Sequence, residues 1–320
     1  MCIRDRLSWG QLSLEPTVLQ PVPLNGTTQT DFCSAVQGNA LGYSSTNADP
    51  DALDTRAFVQ TRHLLGADPL ARFDFYAIII PRCNNLRWSG IAFIGQPGLV
   101  LNLYAYSLDP AFVHEFGHNL GLNHGASLES MQRGRAISET AFLDDSSFPS
   151  PEGFRPSGSP LTLMGSGTAA TAHFMLPGKL ILNWLDDSMV ARVDPWAGCE
   201  PCGPYYLQPT DIGAVVMGDG EPRLGVRIAT GFGGRYFWVE HRRLLNGGMP
   251  TVVVSSASYR LDRGRGGVVG TTLAIDAPGN NGTVRPYLGA GDKMEIDVSA
   301  NSTARWLSVA VGTFRDGLFE

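Results

Sequence analysis

Residues 114–125 read HEFGHNLGLNHG, and no other segment constrains the fold so tightly. His114 and His118 stand four positions apart, the spacing that puts two side chains on one face of a helix. Two imidazoles on one face can grip a single metal ion. Glu115 follows the first of them directly and points to the side of that ion. Gly121 lets the chain leave the helix through a positive-φ turn, after which His124 can swing back as a third ligand. Three protein ligands leave the fourth position of a tetrahedral Zn2+ to water, the arrangement of a catalytic rather than a structural site. Zinc lowers the pKa of such a water towards ~7, and a carboxylate beside it can take the proton. Half of the chain's 6 histidines fall in this segment. Burying them unliganded beside a carboxylate would be costly, which favours ligation over a packing role.

The flanking sequence supplies the helix that the spacing needs. Asp109-Pro110 is an N-cap followed by a first-turn proline, and the helix runs to about Leu120. Asp49-Pro50 repeats the signature for a helix closed by Gly66. Continuous apolar character over 73–81 predicts a central strand. Segments 90–95 and 99–104 predict two more, around a Gln96-Pro97-Gly98 turn. One or two strands are expected within 12–24, a long polar loop over 125–160, a tight turn over 161–167 and a helix over 176–185. After Trp196 the pattern changes to short β-type runs at 215–217, 224–228, 236–242, 251–254, 268–274 and 307–311, parted by Gly- and Asn-rich turns. The expected fold is therefore α+β: a zinc-helix domain over 7–196, then a small all-β, sandwich-like domain over 197–320.

Composition sets the remaining bounds. A chain of 320 residues with 43% hydrophobic and 17% charged side chains can bury a core in two domains. Its net charge of −6 comes with no basic block, which argues against nucleic-acid binding. No apolar stretch approaches the ~18–20 residues that span a bilayer. Residues 1–6 (MCIRDR) read as a translated sequencing adaptor and are set aside. The native N-terminus, with any signal peptide, is then expected to be missing. Cys33, Cys83, Cys199 and Cys202 remain, and two disulfides allow three connectivities. Cys33–Cys83 with Cys199–Cys202 is the simplest. Three sequons, at Asn25, Asn281 and Asn301, join the cysteines in pointing to secretion.

The HExxHxxGxxH pattern resembles the metzincin clan of zinc peptidases. Met164, in Leu163-Met164-Gly165, looks like the methionine turn that the clan carries after its third histidine. Within the clan the chain is most similar to the gametolysin-like family of secreted peptidases, over about residues 8–245. The pieces are 8–12 (SWGQL), 80–83 (IPRC), 88–92 (WSGIA), the zinc segment, 163–165 (LMG) and 179–185 (KLILNWL). One departure is Ser159-Pro160, where that family often has an aspartate before the turn. The resemblance implies a twisted mixed sheet, a zinc helix and a Met turn, with one catalytic Zn2+ on His114, His118 and His124 and Glu115 as general base. It also implies a late start that lacks the propeptide. Metzincins bind substrate as an added antiparallel strand, so Ile91, Ala92, Phe93, Ile94 and Gly95 are the expected substrate edge.

Other residues carry weaker signals. His173 follows Met164 and could approach the cleft as an oxyanion donor, but a packed surface histidine is favoured. His63 belongs to the 49–66 helix, and His241 alternates with Phe237 and Val239 in a strand as a structural residue. The Cys199/Cys202 pair could be a redox or zinc motif, although no second CxxC accompanies it. Ca2+ is possible, with acidic loops such as 143–145, but no ligand spacing calls for it. The expected activity is a monomeric, secreted metalloendopeptidase with an extracellular protein or peptide as partner. The rival readings are a catalytically silent zinc domain tethered to matrix or glycan by its β domain, and a zinc hydrolase of non-peptide amides or esters.

Overall fold

The computed structural model describes residues 11–19, 33, 72–84, 88–102, 108–128, 137–138, 154–155, 159–167, 172–195, 203–211, 223–229, 235–243, 251–262, 267–275, 277–278, 284–285, 287–297, 306–312, 314–315 and 318–319. The chain is a mixed α/β protein with few helices and falls into two compact units. One is Glu15–Gly121, and the other joins Met1–Leu14 to Leu122–Glu320.

The Glu15–Gly121 unit holds a three-stranded mixed sheet. Strand β1 is Tyr76–Ile80, β2 is Gly90–Ala92 and β3 is Gly98–Asn102. The order is β1-β3-β2, with β1 parallel and β2 antiparallel to β3. All of β3 is buried, as a run of Leu, Val and Leu at the sheet centre requires. Cys33 and Cys83 are disulfide-bonded and pack with Ile80, Val100 and Trp88. The bond spans 50 residues and contributes about 4 kcal/mol on a chain-entropy basis. Asn102 secures the same corner: its amide donates to the carbonyls of Cys83 and Trp88, and its oxygen accepts the Cys83 N–H at 2.9 Å. Helix α1, Leu108–Asn119, buries Val113 and Phe116. Phe116 meets Phe75 edge-on at 5.0 Å and Phe112 in a stack at 5.8 Å.

The second unit is built on a seven-stranded mixed sheet. Its strands are β4 (Leu122–Leu128), β6 (Phe154–Arg155), β7 (Val190–Val193), β8 (Gly225–Ala229), β9 (Arg235–Arg242), β10 (Thr251–Asp262) and β11 (Gly267–Ile275), in the order β6-β4-β11-β10-β9-β8-β7. Short β5 (Ile137–Ser138), β12 (Ala277–Pro278), β13 (Val284–Arg285), β14 (Lys293–Asp297) and β15 (Trp306–Ala310) form smaller sheets. Helix α2, Leu176–Ile181, is buried over its first four residues, with Leu176 in the cluster of Val190, Leu224, Trp238 and Ala257.

Charged groups lie inside this unit. Met175, the N-cap of α2, makes no side-chain cap, and Glu240 on β9 supplies one across the fold. Both Glu240 oxygens accept the Leu176 N–H at 3.2 Å, and Oε2 also accepts Thr210 Oγ1 at 2.8 Å and Arg242 Nε at 3.0 Å. Arg242 donates onward to the Phe174 carbonyl, and Lys179 donates to that of Thr210. Glu240, Arg242, Lys179 and Asp211 are all fully buried, two of each sign. Burial, with the Arg242 charge adding to it, pushes the Lys179 ammonium well down, while Glu240 and Asp211 pull it back up.

Several expectations meet the structure differently. Residues 11–19 carry no regular structure, so the expected strands are absent from the described part of 12–24. Strand β4 and the two-residue β5 and β6 lie where a continuous polar loop was expected over 125–160. Its LNHGASL sequence is polar and Gly-containing, and it is a strand because β11 pairs with it. The 176–185 helix stops at Ile181, beyond which Asn183 takes a positive φ of 54°. Strands after residue 197 are not confined to a sheet of their own: β4, β6 and β7 precede that position and share the seven-stranded sheet with β8 to β11. Alternation marks strands, but their partners are chosen across the chain. The 49–66 helix, the 215–217 run and Cys199–Cys202 lie outside the described residues.

Two outcomes follow from the buried charges. Glu240→Ala leaves Arg242 and the α2 N-terminus uncompensated, so unfolding free energy should drop by about 3–5 kcal/mol in denaturant titrations. His241 is fully buried, with Nδ1 3.2 Å from the Leu207 carbonyl, and burial lowers its pKa from 6.5 to about 4. The unfolded chain therefore binds the proton first, and stability falls with pH. The loss should begin near pH 6.5, reach about 3 kcal/mol near pH 4 and then level off. Denaturant midpoints across that window, compared with His241→Gln, measure the one-proton difference.

Candidate metal centre

Helix α1 carries the first two histidines. Val113 and Phe116 hold it to the core at i, i+3 spacing, which leaves His114 and His118 on a neighbouring face. Their rings lie edge to face, with centroids 4.8 Å apart. The last turn is clamped to the segment after β2. Asn119 Nδ2 donates to the Phe93 carbonyl at 3.2 Å and the Gly98 carbonyl at 2.7 Å, and the His118 carbonyl accepts the Gly95 N–H at 2.8 Å. Gly121 then closes the helix at φ 99°, its N–H bonded to the His118 carbonyl. A side chain there would pay the left-handed backbone cost that glycine avoids.

His124 lies on β4 rather than in a loop. The parallel ladder to β11 pairs Leu122 with Gly270 and then Gly125 with Thr272, so β4 spends one extra residue between the two pairs. The irregularity falls at Asn123–His124, and bulges of this kind re-aim a side chain beside a site. The ligand nitrogens of His114, His118 and His124 lie within 4.8 Å of one another. Tetrahedral zinc takes imidazole nitrogens about 3.3 Å apart, a distance that side-chain rotation can close from there. Burial lowers the His124 pKa, which favours the neutral imidazole that a metal needs. The donor set therefore fits a divalent ion of the zinc type: three imidazole nitrogens, with no thiolate or carboxylate in the cluster.

The turn around Met164 braces the residue that follows His124. Gly125 N–H donates to the Met164 carbonyl at 2.6 Å, and the Gly125 carbonyl accepts the Ser159 N–H at 3.2 Å. Thr162 Oγ1 accepts the Met164 N–H, and the Ser159 carbonyl accepts the Ser166 N–H at 2.9 Å. Ser159 is fully buried. At the place where the resembled family often has an aspartate, a serine supports the turn through its backbone and its hydroxyl. Met164 itself is buried.

Glu115 faces Gly90, the first residue of β2, and only 7% of it is exposed. Desolvation pushes its pKa from 4.5 up to about 8. A cation nearby would favour the carboxylate and draw it down again. Of the five expected edge residues, Ile91 and Ala92 lie in β2, the outer strand of its sheet among the described residues. Phe93, Ile94 and Gly95 lie past its end, with Ile94 and Gly95 in the turn that Asn119 and His118 hold. His173 is 1% exposed, its Nδ1 3.3 Å from the Phe174 carbonyl, so it is a core residue rather than a surface one. His63 lies outside the described residues. Asn119, Ser159, Thr162 and Gly90 escape a reading by motif, and only Asn119 signals itself, as an amide in the last turn of a helix that must be buried.

No protein-family model, curated protein or solved structure matches this chain. The class that fold and site define is therefore that of a mixed α/β protein with a three-histidine cluster able to hold a metal ion.

Loss of one ligand should show directly. His118→Ala should lower zinc affinity by at least 100-fold while the far-ultraviolet spectrum stays near wild type, as read by competition with a chromophoric chelator.

Proposed function

We propose that the chain is a secreted zinc endopeptidase of the metzincin type, similar to the gametolysin family, acting on extracellular or matrix-type proteins. One observation carries this reading: Glu115, a buried carboxylate, sits on the helix that bears two of the three clustered imidazoles. His114, His118 and His124 would hold Zn2+, which supplies a polarised water and charge stabilisation for the scissile carbonyl. Glu115 accepts the proton of the attacking water and returns it to the leaving amine nitrogen. Its burial favours the protonated acid and the cation favours the carboxylate, so both states are accessible in one turnover. The Met164 turn keeps Gly125, and with it the backbone after His124, in place.

The outer edge of β2 suits an extended substrate. Ile91 and Ala92 would offer it backbone groups on the side away from β3, and the edge ends there, because Phe93, Ile94 and Gly95 follow in the adjoining turn with the Phe93 carbonyl and the Gly95 N–H already bonded. The Cys33–Cys83 disulfide fits an oxidising compartment, and no helix among the described residues is long and apolar enough to cross a membrane.

The test is cleavage of a quenched casein or gelatin substrate, with metal content determined on the same samples. Wild type should cleave with one zinc bound. Glu115→Gln should keep the zinc and lose at least 10²–10⁴-fold in kcat. A folded wild type that holds zinc and cleaves neither substrate would overturn the peptidase reading in favour of a silent binding domain.

A further inference from the structure

Gly90 lies where β2 passes closest to Glu115. A Cβ built on Gly90 would sit 2.5 Å from Glu115 Cγ, 2.9 Å from Oε1 and 3.0 Å from Cδ. All three nearest atoms belong to that one side chain. The position has no positive φ, so backbone conformation alone does not call for glycine.

The strand cannot easily give way. The Ser89 carbonyl accepts the Asn102 N–H at 2.9 Å, and Gly90, Ile91 and Ala92 pair with Leu101, Val100 and Leu99 of the wholly buried β3. Ile91 packs on the core around Cys83 and Val100. Helix α1 is equally fixed, by Val113, Phe116 and Asn119. Glu115 Cγ is one bond from its Cβ, so it moves only by rotation about χ1, and few χ1 states are open in a helix. Such a rotation carries the whole carboxylate away from its present place.

We propose that Gly90 is a positioning residue for Glu115: the missing side chain of β2 is the slot in which the carboxylate lies, on the helix that bears His114 and His118. The idea rests on the peptidase reading for its effect on turnover, but not for the contact itself. The same glycine begins the proposed substrate edge, so one position serves both the base and the strand above it.

Two measurements separate the contact from the activity. The first is a stability cycle on the intact chain. Gly90→Ala should lower Tm by about 5 °C through overpacking. In the Glu115→Ala background, where Cγ, Cδ and Oε1 are gone, the same substitution should cost almost nothing. Should Gly90→Ala fail to fold, recovery of folding in the double variant is the supporting result. An equal cost in both backgrounds, or a double variant that also fails to fold, overturns the proposal. The second is kinetic. Gly90→Ala should keep its zinc and KM within about threefold while kcat falls about 100-fold, as a misplaced base requires. In the Glu115→Gln background it should cause no further loss. A rise in KM alone would overturn the positioning role in favour of an effect on substrate docking. A wild type without peptidase activity would sink the peptidase reading and leave the stability cycle to decide on Gly90.

Discussion

The carboxylate of Glu240 is the point on which the larger unit turns. It caps α2 from another element, accepts from Thr210 and neutralises Arg242, which in turn holds the Phe174 carbonyl. Segment 174–176 is thus tied to β9 by charge. Met175, within that segment, packs with Leu161 and Val253. Leu161 opens the turn that contains Met164, and that turn bonds to Gly125, next to His124. A buried ionic group in the sheet therefore reaches the histidine cluster through three short steps, each a hydrogen bond or an apolar contact. Replacing such groups by apolar ones often stabilises a protein, so their use here is consistent with fixing one arrangement rather than adding strength.

The cluster itself combines opposite demands. An imidazole binds a metal in its neutral form, and burial moves His124 in that direction. The proposed general base must be ionised, and burial opposes that at Glu115. Glu115 stands on the helix that carries two of the clustered histidines, where a bound cation would offset the desolvation that it suffers.

Much of the site was legible because it is local. The i, i+4 histidines and the glycine at the helix end follow from neighbours within a few residues, and Gly121 takes the positive φ that the turn needs, whereas the helix starts at Leu108, ahead of the Asp109 cap expected from the sequence. Cysteine arithmetic leaves three connectivities, and the Cys33–Cys83 bond belongs to the simplest of them. Strands β1, β3, β8, β9 and β11 show in apolar runs. What stayed hidden is non-local. Nothing in LNHGASL announces a strand, since its pairing is decided by β11. Nothing in WVEHR marks Glu240 as the cap of a helix 64 residues earlier. Nor does SGIAF reveal that its glycine makes room for a carboxylate on α1. Composition changes near residue 197 suggest a boundary, whereas β4 and β7 are drawn into one sheet with later strands because β11 and β8 offer them edges, and β6 joins on the far side of β4.

The bulge at His124 has a consequence for how the protein comes into being. The twelve-residue motif is finished early in synthesis, yet its third ligand is aimed by a ladder to residues 270–275. A nascent chain can form α1 and present His114 and His118 long before β10 and β11 have left the ribosome. Until they pair, β4 is held only by β6 and by the turn around Met164. Assembly of the three-histidine cluster is thus a late event, and a chain cut short before β11 would carry the whole motif without the ladder that aims His124.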